Sequence, residues 1–159
     1  MFQSHLITLC LLLTLCLAGP ARVVAQHNHG AATHETGAMT TQDVLAEGVV
    51  ISFSVMANSE HLKMLREMKM KENVEAGTTH NITVVLKDQK SQQPITDASV
   101  SMRLIDPSGK DQLKALTFEP SMNSYDAYVN MPVKGRYQIL VLARYGDQKK
   151  TGGIYYDLH

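Results

Sequence analysis

The chain has 159 residues, with 15 basic and 15 acidic side chains and a formal net charge of zero. That length fits one domain plus a tail, and the even balance offers no basic field for nucleic acid and no like-charge block for a membrane surface. Trp is absent, and the two cysteines, Cys10 and Cys16, both fall in the first 16 residues.

Residues 1–25 read as a secretory signal peptide. Leu6 to Leu17 is a Leu-dominated run, Ala18, Gly19 and Pro20 break it, and Val23 and Ala25 supply small residues before a cut at Gln26. The run is short for a span, which takes about 20 apolar residues. Leu9 and Leu15 precede the two cysteines, where lipid attachment needs a small residue. Cleavage removes Arg22 alone among charged residues and leaves 14 basic against 15 acidic. The mature chain is then expected in the periplasm or secreted, without membrane insertion. It has no cysteine, in a compartment where disulfides are the norm. Cysteine nucleophiles, zinc–thiolate sites and blue-copper centres are thereby excluded.

Residues 26–46 have almost no large apolar side chain before Val44 and are expected to form a disordered tail. His27, His29 and His34 lie in it, and such a tract collects Cu(II) weakly. The domain proper is expected over 47–159. Val49, Ile51, Phe53 and Val55 alternate with Val50, Ser52 and Ser54, which predicts a first strand over 47–56.

Asn58, Ser59 and Glu60 then signal a helix start. The stretch His61–Met70 holds one imidazole and three thioethers, Met64, Met68 and Met70. At helical spacing His61, Met64 and Met68 share a face, while Lys63, Arg66 and Lys69 share another. From Met68 the pattern changes to a period of two, so an extended piece should follow. Thioethers are soft neutral donors and imidazole a borderline one, a set that suits Cu(I). The same Met residues, with Leu62 and Leu65, also fit a plain apolar helix face.

Further strands are predicted over 80–87, 98–105, 112–118, 125–131, 136–144 and 151–158, with turns such as Asp106-Pro107-Ser108-Gly109 between them. Seven short strands imply an all-β, immunoglobulin-like sandwich with a short helical, Met-rich segment after the first strand. His80 heads the second strand. Met122 lies on the loop before the fifth and is a donor if that loop packs against the Met-rich segment. The metal-ligand candidates are therefore His61, Met64, Met68, Met70, His80 and Met122, with His27, His29 and His34 as weaker tail candidates. Met56, Met102 and Met131 are in phase with strand residues and read as packing.

Three runs, Gly77–Asp88, Pro94–Lys110 and Lys134–Val141, resemble the bacterial periplasmic YtkA-like domains. The likeness extends over about Val49 to Leu158. It implies a small immunoglobulin-like sandwich and a binding protein rather than an enzyme. Met68-x-Met70 followed by His80 is similar to a copper-handling subgroup. No nucleophile elbow, His-Glu-x-x-His or phosphate-binding glycine loop is present. The reading is a copper-binding chaperone, buffer or resistance factor, with a copper-accepting or copper-exporting protein as its partner. The alternative is a secreted sandwich that docks a protein through its Met/Leu segment without metal.

Overall fold

The computed structural model describes residues 33–36 and 39–159. The chain forms two antiparallel sheets packed as a sandwich. Strands β1 (Thr33–Thr36), β2 (Met39–Ala46), β3 (Val49–Ala57), β4 (His80–Asp88), β7 (Thr117–Glu119) and β8 (Ser124–Val129) make a six-stranded sheet in the order β1-β2-β3-β4-β8-β7. Strands β5 (Ser99–Ile105), β6 (Asp111–Ala115), β9 (Gly135–Tyr145) and β10 (Gln148–Leu158) make the other, in the order β10-β9-β5-β6. Helix α1 (Asn58–Glu67) joins β3 to β4. Among the described residues no helix is long and apolar enough to cross a membrane.

Two strands lie where a disordered tail was expected. Residues of β2 pair with β3 from Thr40↔Val55 to Ala46↔Val49, so the sandwich begins well before Glu47. A strand needs main-chain partners rather than large side chains, and Thr40, Thr41, Gln42 and Asp43 pair with β3 without adding large apolar surface. The expected signal peptide, His27 and His29 lie outside the described residues. The expected strand over 112–118 is two strands. β6 belongs to one sheet and β7 to the other, and the buried Leu116 marks the crossing.

Alternation builds the core. In β3, Val49, Ile51, Phe53 and Val55 are buried while Val50, Ser52 and Ser54 are only partly covered. Ile82, Val84 and Leu86 of β4, Leu104 of β5, Val129 of β8 and Ile139 of β9 meet them with no exposed surface. Met102 and Met131 are buried, as their phase implied, and Met56, in the opposite phase to Val55, is buried on the outer face of β3. Two tyrosines carry polar ends into this core. Tyr125 Oη accepts the Ala98 N–H at 2.9 Å and donates to the Ile95 carbonyl at 3.0 Å, which ties the chain between β4 and β5 to β8. Tyr137 Oη donates to the Val133 carbonyl at 2.7 Å.

The register of β4 decides what each histidine can meet. His80 shares its phase with Ile82 and Val84 and pairs with Ala57 and Val129, so it belongs to the core-facing side. Asn81 has the opposite phase. It stands in a cross-strand row with Met56 and Tyr128 on the outer face, and α1 packs over that face against β3 and β4.

Tyr125→Phe leaves the ring in place but strips partners from Ala98 and Ile95. It is expected to destabilise the fold by about 1–2 kcal/mol in urea unfolding. An unchanged midpoint would mean that the hydroxyl is not holding this connection.

Candidate metal centre

Helix α1 starts after Ala57, which has no side chain to cap it. Asn58 is not a cap. Its Nδ2 donates to Thr78 Oγ1 at 2.9 Å, and its N–H to the Thr79 carbonyl at 2.9 Å, pinning the helix start to the segment that leads into β4. The buried helix positions are His61 and Leu65, one turn apart. Met64 is half-buried, and Met68, at the helix C-cap, is 49% exposed. The expected His61–Met64–Met68 face is thus rotated, because Leu65 takes the inward place.

The helix ends in a Schellman turn. Lys69 adopts φ +55°, its N–H reaches the Arg66 carbonyl at 3.0 Å, and the Met70 N–H reaches the Leu65 carbonyl at 2.9 Å. That turn brings Met70 back alongside Leu65. An Arg66–Glu72 ion pair at 2.8 Å and a Lys114–Glu75 pair at 2.7 Å hold the following segment along β6. Across from it, the loop before β8 folds into a tight turn. Glu119 Oε1 accepts from the Ser121 N–H and hydroxyl at 3.1 and 2.7 Å, and the Met122 N–H donates to the Glu119 carbonyl at 3.2 Å. Met70 Sδ lies 3.9 Å from Ser121 Oγ, so this loop packs against the Met-rich segment.

These pieces enclose a groove of about 670 Å³. His61, Met70, Met122, Asn81, Asp126 and Tyr128 are among the residues that line it. His61 is only 4% exposed and stands edge-on to Tyr128, with ring centroids 5.6 Å apart. Among the described residues its ring nitrogens have no hydrogen-bond partner. Asn81 is 1% exposed, and its Nδ2 also lacks a partner. Asp126 accepts from the Thr83 hydroxyl at one oxygen and from Ser124 Oγ at 2.8 Å at the other. Thr83 has one hydroxyl proton for Asn81 Oδ1, 2.9 Å away, and for Asp126, and the carboxylate is the stronger acceptor.

Burial holds the His61 imidazolium below its usual range, against the opposing pull of the Asp126 carboxylate. It raises Asp126, opposed by the Thr83 and Ser124 hydroxyls and by His61. The His61 ring is therefore neutral at pH 7, with a lone pair available. Burial lowers His80 in the same way.

The six candidates do not form one cluster. His61, Met70 and Met122 line one groove. His80 is on the other side of the six-stranded sheet, where its Nδ1 lies 2.8 Å from Thr79 Oγ1. Met64 and Met68 remain on the helix outside the groove lining. His34 lies on β1, away from the helix in the strand order. Asn81, Asp126 and Tyr128 were not foreseen. An outward Asp or Tyr on a strand is the ordinary pattern, and only the helix above makes theirs unusual. Among the described residues no three His, Asp or Glu side chains converge as a metal site.

The model of the YtkA-like family matches residues 56–141, more than half of the chain. The chain belongs to the YtkA-like family. No curated protein matches it. FetP of uropathogenic Escherichia coli strain F11 aligns with a TM-score of 0.53 at 10% identity, over 76% of this chain and 93% of that one. A DUF4426 family protein from Pseudomonas aeruginosa PAO1 aligns with a TM-score of 0.53 at 14% identity, over 74% and 94%. A copper-bound variant of the same FetP gives 0.49 at 12% identity, over 73% and 91%. At these identities the likeness to solved structures is one of fold.

Stability should depend on pH with a defined sign. His61 and His80 have folded pKa values below the ordinary 6.5, so the unfolded chain binds their protons first. Their contribution is complete above pH 6.5 and is lost as pH falls through the folded values. Asp126 acts oppositely, because its folded pKa is raised above 3.8, and its burden eases on acidification in the carboxylate range. Metal-free protein should unfold at lower urea at pH 5.5 than at pH 7.5, and His61→Gln with His80→Gln should shrink that difference. Equal midpoints in the parent protein would contradict the buried neutral imidazoles.

Proposed function

We propose that this YtkA-like protein binds copper in the periplasm or secreted space, holding Cu(I) between His61, Met70 and Met122. The observation that carries the reading is that one groove is lined by His61, whose ring makes no hydrogen bond to the described residues, and by the thioethers of Met70 and Met122. A neutral imidazole free of protein hydrogen bonds, beside soft sulfur donors, is the donor set that a soft monovalent ion takes. Burial keeps the ring deprotonated near pH 7, so no proton need leave it before metal enters.

The three donors come from three places: the helix, the turn after it, and the loop before β8. Rigid sheet positions hold none of them. Cu(I) accepts few ligands and irregular geometry, so such a site can load and release without unfolding the sandwich. An open groove with exchangeable neutral donors suits a chaperone or buffer that passes copper to an acceptor or exporter. No catalytic step is assigned to it. His80 and Met68 are left out of the ligand set, one because of its face and the other because of its exposure.

A competition titration of Cu(I) against a chromophoric chelator tests this. The mature protein should take one ion, Met70→Leu with Met122→Leu should lose at least about tenfold in affinity, and Met68→Leu should bind like the parent protein. No uptake by the parent, or full uptake by the double variant, would assign the thioethers to packing and favour protein docking through the Met/Leu segment.

A further inference from the structure

One carboxylate, Asp126, lies on the floor of the groove beneath the helix. Glu75 is paired with Lys114 at 2.7 Å, and Glu119 accepts two hydrogen bonds from Ser121 at 3.1 and 2.7 Å. Lys69 and Lys71 are exposed where they line the groove. Asp126 lies under the helix on the outer face of β8, and its oxygens accept only from the hydroxyls of Thr83 and Ser124. Among the described residues it makes no ion pair. A covered carboxylate without a cation is costly, and a fold that keeps one invites a positive ligand beside it.

Resting on the Cu(I) reading above, we propose that Asp126 is the fixed counter-charge of the bound ion. His61, Met70 and Met122 are all neutral donors, so a monovalent ion among them retains its full charge. The Asp126 carboxylate, held on the groove floor by the Thr83 and Ser124 hydroxyls, offsets that charge at a distance. The arrangement fits a monovalent soft cation, Cu(I) or Ag(I). Three hard donors do not converge there among the described residues, as a hard divalent ion would require. Asp126 is thus a positioning residue for charge, acting across the groove on an ion that other side chains hold.

The test compares mature wild-type protein with Asp126→Asn and Asp126→Glu, using Cu(I) and Ag(I) alone as probes. Asp126→Asn should bind both ions roughly 10–100-fold more weakly, the usual effect of losing an outer-shell partner. Its metal-free melting temperature should be equal or higher, since the amide removes a buried charge. Asp126→Glu, which keeps the charge, should bind more tightly than Asp126→Asn. Wild-type affinity in Asp126→Asn, or a loss matched by a lower metal-free melting temperature, would overturn the proposal. So would a folded Asp126→Glu that binds as weakly as Asp126→Asn. If the wild-type protein itself took up neither ion, the underlying copper reading would fall with it, a result distinct from the other outcomes.

Discussion

Helix α1 lies on the outer face of the six-stranded sheet, and the rest of the groove depends on that contact. A sandwich strand normally gives its outer face to water, and polar residues there carry no burden. Here His61 and Leu65 press against that face, with His61 edge-on to Tyr128. The polar row beneath is drawn out of solvent: Asn81 becomes 1% exposed, and Asp126 is pushed toward its protonated form by burial. Without the helix, Asn81, Thr83 and Asp126 would be ordinary surface positions. Under it Asn81 and Asp126 form the floor of the groove.

The same contact prepares the imidazole. Desolvation disfavours the imidazolium, and Asp126 only partly opposes it. The result is a neutral ring, held by packing against Tyr128 rather than by hydrogen bonds. The turn at Lys69, with its left-handed backbone, then swings Met70 under the helix end, and the Ser121 loop meets it from the other side. Local backbone chemistry thus brings together donors that lie far apart in sequence. Stability is spent on the floor residues, which is the pattern expected where a fold keeps a site rather than an optimised surface.

Much of the sandwich is legible in the sequence because alternation is physical: a strand with one face in the core must repeat every two residues. Val49, Ile51, Phe53 and Val55 show it plainly. β2 was not legible, since Thr40 to Asp43 contribute main-chain pairing and little apolar surface. The helix was readable, but its inward face was not, because Leu65 and Met68 compete for one direction and only the sheet beneath decides. The phase of His80 with Ile82 already places it on the core side. What the sequence could not show was the side of the sheet on which α1 would lie, and therefore that His61 and His80 face apart. Met122 was readable as a donor only on the condition that its loop packs against the Met-rich segment, a contact the Met70–Ser121 approach supplies. Asp126 had no signal at all.

The most direct measurement is X-ray absorption spectroscopy at the copper edge on mature protein loaded with one equivalent of Cu(I). The expected spectrum has one imidazole nitrogen and two sulfur scatterers, from His61, Met70 and Met122. A shell of nitrogen and oxygen without sulfur, or one with two or more imidazoles, would contradict this groove as the copper site and move the search to His80 or to the N-terminal histidines.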